Sequence, residues 1–352
     1  MHTSPVVAIL MPNFNGATYI AETLDSLLAQ QFTQWQCMIV DDGSSDNSPE
    51  IIQAYAQRDP RIGFMHRQRQ PKGACTCRNI GLDHTTAPYV MFLDTDDLLE
   101  PFALQNRVAT LRARPDLDFA IFPSLMFTHK PHDLRLWWSI PNDQDLLTRQ
   151  CFGDAVCQGT GPLFTRSAFD RMGRWDEALM LWQDIDLFFR AYSQDYRYEI
   201  FWDLPPDLHN RRNPNSLSRS NFFQPAKQLS RQLVMERAIN LMHTHNKHPY
   251  LPKLAPKTAE VIVGLQRANA ATEAQALRHF ALEKGVLSPV QYRRIGLITR
   301  LWQMRLYRLP GGLNLIKKLS QTFSLAQPSR MCTVSYDEYP CPTAPEKPPL
   351  FS

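Results

Sequence analysis

Tyr89-Val90-Met91-Phe92-Leu93-Asp94-Thr95-Asp96-Asp97 sets five apolar or aromatic residues directly against three carboxylates. A continuous apolar run without alternation predicts a strand covered on both faces, and such strands belong to parallel sheets. The acidic ending predicts a loop at the sheet's carboxyl edge. The same pattern recurs upstream. Val6 to Met11 is an apolar, β-branched-rich run ending in the turn Pro12-Asn13-Phe14-Asn15-Gly16, and Cys37 to Val40 ends in Asp41-Asp42-Gly43-Ser44-Ser45-Asp46. Ile62 to Met65 and Phe119 to Phe122 read as further strands. Helical stretches lie between them. Ile20, Leu24, Leu27 and Leu28 form one stripe, and Ser48-Pro49 offers an N-cap and first-turn proline for a helix carrying Ile51, Ile52 and Tyr55. Gly73 to Leu82 and the segment marked by Leu104, Val108 and Leu111 complete the alternation. The expected class is α/β: a Rossmann-like, mostly parallel sheet with helices on both faces and ligand loops at the carboxyl ends of its strands. The acidic clusters lie at those ends.

Bulk properties narrow the partners. The 352 residues suffice for a full core, and 43% hydrophobic with 20% charged residues is ordinary for a globular chain. A net charge of +4 argues weakly for any polyanion, so nucleic acid is not an expected partner. Met1-His2-Thr3-Ser4-Pro5 runs into the first strand without the regions of a secretory signal, and every apolar stretch is interrupted well short of about 20 residues. A cytoplasmic protein is expected. Seven cysteines of irregular spacing suit a reducing compartment, and Cys75-x-Cys77, lacking a second Cys/His pair, reads as two ordinary cysteines.

From Asn221 onward helical periodicity takes over, which places a boundary near Pro225. The organisation expected is one α/β domain over 1–224, in halves 1–122 and 123–224, a helical basic region over 225–323 and a flexible Pro-rich tail over 324–352. Between Lys284 and Tyr336 there are nine Lys or Arg residues and no Asp or Glu. Ile295, Ile298, Trp302, Leu306 and Leu309 recur at helical spacing opposite Arg293, Arg294, Arg300, Arg305 and Arg308, which predicts a basic amphipathic helix within 287–319. Packing on its own domain and lying against an anionic membrane surface fit it equally. Trp137-Trp138 is a candidate acceptor-contacting pair, though core packing is the commoner fate of such aromatics.

Asp94 and Asp96 at the end of a buried strand are costly unless a positive partner joins them. A hard divalent cation satisfies one or two carboxylates and completes its shell with water and phosphate oxygens, as a bound nucleotide diphosphate would supply. D-x-D alone also arises at helix caps, and that capping role is assigned to Asp97, before a helix starting near Pro101. The G-x-G-x-x-G and P-loop signatures are absent.

Pro12-Asn13-Phe14-Asn15, Val40 to Asp46, Arg78-Asn79-x-Gly81, Phe92 to Asp97 and Trp182-Gln183-Asp184, in this order and spacing, closely resemble the inverting family-2 glycosyltransferases of the GT-A fold, of bacterial cell-surface polysaccharide type. The resemblance covers about residues 5–220. It implies that Phe14, flanked by Pro12 and Asn15, stacks near the nucleobase and that Asp42 accepts a hydrogen bond from a uracil-like base. It implies that Asp94, beside Thr95, approaches the ribose or the metal, and that Asp96 binds the Mn²⁺ or Mg²⁺ bridging both phosphates. Lys72 and Arg78 would face the diphosphate, with an exposed loop charge and a structural ion pair as their respective alternatives. Asp184 matches the catalytic base, with a plain N-cap as its alternative, and Trp182 and Gln183 would lie on the acceptor side. Asp186 is assigned to first-turn dipole stabilisation. Gln183 stands where many relatives have Glu, and Asn213 where they often have a metal-binding His; His209 is nearby, better read as a satisfied or solvated side chain. The implied partners are a nucleotide-sugar donor, UDP-linked, and a glycan or lipid-linked acceptor, met by a peripheral protein at the inner face of a membrane. A sugar-nucleotide nucleotidylyltransferase and an inactive carbohydrate-binding scaffold remain as alternatives.

Overall fold

A computed structural model of the protein describes residues 4–213, 216, 220–309, 311 and 330–343. The strands β1 (Val7–Asn13), β2 (Trp35–Asp41), β3 (Ile62–His66) and β4 (Tyr89–Phe92) are the predicted apolar runs. They alternate with α1 (Ile20–Leu28), α2 (Ser48–Arg58) and α3 (Ala74–Asp83). After them come β5 (Leu98–Leu99), α4 (Ala103–Ala113), β6 (Phe119–Ile121), β7 (Ser124–Phe127), β8 (Leu136–Trp137), α5 (Leu146–Phe152), β9 (Pro162–Thr165), α6 (Arg166–Arg171), α7 (Gln183–Ser193), β10 (Tyr198–Ile200) and β11 (Leu208–Arg211). The chain continues through α8 (Pro225–Thr244), a 3₁₀ segment (His248–Leu254), α9 (Ala255–Arg267), α10 (Ala271–Glu283) and α11 (Pro289–Gln303).

The main sheet has seven strands in the order β10-β6-β9-β4-β1-β2-β3. All neighbours are parallel except β9, which runs antiparallel to both β4 and β6. Parallel registry aligns Asn13 with Asp41 and Leu10 with Phe92, so the loops after β1, β2 and β4 emerge side by side. A second sheet, β5-β11-β7-β8, carries the chain from the acidic loop across to residues 208–211.

Side chains along β1 explain its unbroken apolar run. Ala8 and Leu10 enter one core with α7 to α11, while Val7, Ile9 and Met11 enter the other with α1, Trp35 and α4. The helical region after Pro225 therefore shares a core with the sheet. Pro225 itself opens α8, where a missing N–H costs nothing.

Four local expectations are corrected. Ser48 is the first helical residue of α2, not its cap; that position falls to Asn47, which makes no side-chain cap, while Asp46 accepts from Ser48 N at 3.0 Å. Asp97 caps no helix: its carboxylate accepts from Asn210 Nδ2 and Arg211 N, both at 2.9 Å, and latches the acidic loop to β11. The basic helix ends at Gln303, because Arg305 adopts a left-handed conformation (φ 56°), so Leu306 and Leu309 leave its stripe; residues 312–319 lie outside the described residues. The segment 330–343 of the expected flexible tail is docked: Val334 and Tyr336 are buried against Leu125 and Trp137, and Trp137 donates its indole N–H to Tyr339 O at 2.7 Å.

Candidate functional site

The loop after β1 is built before it can bind anything. Asn13 Nδ2 donates to Asp41 Oδ1 at 2.8 Å and to Ser48 Oγ at 2.9 Å, tying the ends of β1 and β2 to the start of α2. Although burial works against it, hydrogen bonds from Ser44, Asn13 and Gly43 hold the Asp41 carboxyl below the usual range. Asn15, in a left-handed conformation (φ 52°), receives Ser45 N at 2.8 Å on its side-chain oxygen. Of the two adjacent aspartates, then, Asp41 is structural, and Asp42 is presented to the cleft.

Asp42 lies beside Arg67, whose Nε donates to Oδ1 at 2.6 Å, with Gly73 N at 3.3 Å on the same oxygen. A carboxylate accepts about four hydrogen bonds, so Asp42 keeps capacity for a ligand. The Lys72 ammonium rests 4.0 Å from the centroid of Phe14, and base stacking on that face requires this exposed side chain to swing aside.

Arg78 joins the two halves of the site. Buried on α3, it donates to Asp94 Oδ1 at 2.6 Å and to Gln183 Oε1 at 3.3 Å, and its guanidinium covers Trp175 at 4.8 Å. The ion-pair alternative for Arg78 is therefore realised, inside the site. Asp94 is 42% exposed, whereas burial, and then the Asp94 charge, push the Asp96 carboxyl up to about 6. Asn213 Nδ2 approaches Asp96 Oδ2 at 3.5 Å. A partly buried acid whose ionisation is opposed by burial and by a second carboxylate is a site short of positive charge. It fits a divalent cation, with Asp96 and Asp94 as the protein ligands and Asn213 alongside.

Asp184 sits in the first turn of α7, one residue inside Gln183, so it is not the N-cap. That place belongs to Trp182, which makes no side-chain cap and adopts φ 64°, a conformation rare for a bulky residue and tolerated where the surroundings over-determine it. Ser230 provides that support: its Oγ receives Met180 N at 3.1 Å and Leu181 N at 3.0 Å, and Arg231 covers the Trp182 ring at 4.3 Å. Burial raises the Asp184 carboxyl above the ordinary range, opposed by the Ile185 N–H at 2.9 Å and the Arg78 charge. Asp186 does more than favour the helix dipole: fully buried, it pairs with Arg190 and with Arg237 of α8.

One cleft of about 1340 Å³ is lined by Pro12, Phe14, Asn15, Asp42, Lys72, Arg78, Asp94, Thr95 and Asp96 on one side and by Trp182, Gln183 and Asp184 on the other, the residues that the resemblance assigns to donor, metal, acceptor and base. Trp138 lines it too, whereas its neighbour Trp137 belongs to the core under residues 330–343. Arg67 and Trp175 were missed; nothing in their local sequence marks them. His209 lies on the second sheet, 2% exposed and bonded to Glu100 Oε1 at 2.7 Å, so Asn213 is the residue beside Asp96. Burial pushes the Cys75 and Cys77 thiols up to about 12, consistent with ordinary core cysteines.

Residues 8–173, which include the Asp42, Arg78 and Asp94 side of the cleft, match the model of Glycosyl transferase family 2. That matched region, a little under half of the chain, is what the protein shares with family 2 glycosyltransferases. EpsH of Bacillus subtilis (strain 168) is 35% identical over 114 residues, which cover 32% of this chain and 33% of EpsH. The uncharacterized glycosyltransferase RP339 of Rickettsia prowazekii (strain Madrid E) is 26% identical over 224 residues, 60% of this chain and 67% of that one. The chain thus spans about a third of one curated relative and two thirds of the other. Among solved structures, S. aureus TarS 1-349 in complex with UDP-GlcNAc superposes with a TM-score of 0.57 at 16% identity, covering 84% of this chain and 91% of TarS 1-349. That likeness establishes the GT-A fold.

Proposed function

We propose that this chain transfers a sugar from a nucleotide diphosphate sugar to an acceptor hydroxyl with inversion. The observation that carries the reading is Arg78, buried between Asp94 of the donor half and Gln183 beside Asp184. Asp42 suits a pyrimidine with a ring N–H, which favours a uridine diphosphate sugar. Asp96 and Asp94 would hold Mn²⁺ or Mg²⁺, which would supply Lewis-acid stabilisation of the diphosphate. Asp184, ionised, takes the proton of the acceptor hydroxyl as that oxygen attacks the anomeric carbon. The bond from that carbon to the diphosphate oxygen breaks on the opposite face, its electron pair leaves with the diphosphate, and single displacement inverts the centre. Arg78 holds Asp94 in place and offsets the charge facing Asp184.

The acceptor is read as a glycan or a lipid-linked glycan in cell-surface polysaccharide synthesis, met at the inner face of a membrane. Among the described residues no helix is long and apolar enough to cross one. On α11, Ile295 and Ile298 face the core, while Val290 and Leu297, with Met304 just beyond, are exposed at seven-residue intervals beside exposed Arg293, Arg294 and Arg300. An exposed apolar stripe flanked by arginines favours an anionic lipid surface. A donor screen scored by diphosphate release in cell-membrane extract tests the function: a uridine diphosphate sugar is expected to turn over only with Mn²⁺ or Mg²⁺. Metal-independent turnover defeats the metal assignment, and failure of every nucleotide sugar defeats the reading itself.

A further inference from the structure

Outside the cleft, three ligating side chains converge on the second sheet. Glu100 follows β5, His209 lies on β11, and His132 lies in the connection between β7 and β8, with one donor atom from each within 4.8 Å of the others. A lone Glu–His hydrogen bond explains only part of this. His209 is 2% exposed, and while its Nε2 meets Glu100 at 2.7 Å, its Nδ1 is buried without a hydrogen-bond partner. His132 closes over it edge to face, ring centroids 5.0 Å apart, from a left-handed backbone conformation (φ 67°). That conformation is rare for a non-glycine residue and is held here by tertiary contact. The His132 Nδ1 in turn lies 3.0 Å from the hydroxyl of Tyr336, on the docked C-terminal segment.

We propose that Glu100, His132 and His209 form a Zn²⁺ site that clamps β5, β11 and the docked segment 330–343 together. Two imidazoles and a carboxylate are a donor set that Zn²⁺ favours, whereas Mg²⁺ favours oxygen alone. Zinc ligands at about 2.0–2.2 Å from the ion stand roughly 3.4 Å from one another. Glu100 and His209, 2.7 Å apart, would open toward that spacing and the wider separations, up to 4.8 Å, would close to it, shifts of about an ångström open to the half-buried Glu100 and His132. Tyr336 then serves as the outer partner that orients a ligating histidine. The clamp reaches the transfer site through the backbone: Asn210 and Arg211, next to His209, hold Asp97, and Asn213 meets Asp96.

The test uses the full chain, stripped of metal by chelator and titrated with Co²⁺ as a visible probe. One equivalent is expected to give the absorption bands of a tetrahedral site, bleached by Zn²⁺, and Zn²⁺ is expected to raise Tm by several degrees. His132→Ala and His209→Gln should lose the bands and the Tm rise, with circular dichroism reporting that each variant is folded. The Asp94→Asn/Asp96→Asn double variant should keep both, which separates this site from the one proposed for transfer. Absence of bands in the wild-type chain, their survival in folded His132→Ala, or their loss in the double variant overturns the proposal.

Discussion

Replacing Asp184 by Asn removes one charge and almost no structure. Its Oδ1 accepts Ile185 N at 2.9 Å, and an asparagine oxygen can accept the same bond. The carboxylate is buried, so its ionised form pays for desolvation, and Arg78 returns part of that cost. A folded-state pKa above the unfolded one means that the native chain holds the proton to higher pH. Ionisation therefore destabilises the fold at neutral pH and above, and the amide removes that penalty. Asp184→Asn should leave Tm unchanged or slightly raised at pH 7–8, with a stability change within about 1 kcal/mol. Catalysis should respond very differently: loss of a general base lowers kcat by about 10²–10⁴-fold, roughly 2.7–5.5 kcal/mol of transition-state free energy. Donor affinity, measured by calorimetry with Mn²⁺ present, should stay within about threefold, since Asp184 lies on the acceptor side. The wild-type pH–rate profile should fall on its acid side above the usual carboxylate range, and the variant should lack that limb. A kcat within tenfold of wild type would refute the assignment of the base.

Below a pH of about 6, protons compete for Asp96, so Mn²⁺ affinity should weaken by up to about tenfold per unit, and a flat affinity between pH 5 and 8 would contradict the assignment. In the metal-free chain the same raised pKa makes stability fall as pH rises from the ordinary carboxylate value to about 6, which urea midpoints across that window would register. Arg107 and Asp207 form a doubly bonded, fully buried pair at 2.7 and 2.8 Å; Arg107→Met strands the carboxylate and should cost about 3–5 kcal/mol in urea unfolding. Gly16→Ala would place a Cβ 2.5 Å from Asn13 Oδ1 and 3.1 Å from Thr95 Oγ1. It should destabilise by about 1–3 kcal/mol and weaken donor binding, and an unchanged donor Kd would show that the two loops move independently.

The parallel half of the sheet was legible because β1, β2 and β4 carry apolar runs that stop at an acidic or asparagine-rich loop, with β3 recognisable from its short apolar run alone. The interruption at β9 was not: Pro162–Thr165 is four residues long, and an antiparallel insertion leaves no periodic mark. Strands of two residues, such as β5 and β8, are likewise too short to carry a pattern. The gathered cleft residues were recognisable from motif order, but their roles depend on partners far along the chain. Asp97 looks like its neighbours Asp94 and Asp96 until Arg211, 114 positions away, is beside it. Asp41 and Asp42 are adjacent and chemically identical, and only the Asn13 and Arg67 contacts tell the structural one from the presented one. The C-terminal helix broke where Arg305 turned left-handed, a choice that helical spacing does not encode.

The placement of β9 and β11 bears on any attempt to retarget the protein by exchanging parts. A chimera joined near residue 122 would sever β6 from β9, its neighbour in the main sheet, and would bring in a foreign partner for β4. It would also replace the short strand whose backbone grips Asp97, so the imported segment would arrive with the wrong hold on the acidic loop. Recombination between relatives is thus constrained to blocks that carry residues 98–100, 124–127 and 208–213 together, and the cleft is more readily reshaped by substitutions in its wall than by swapping segments.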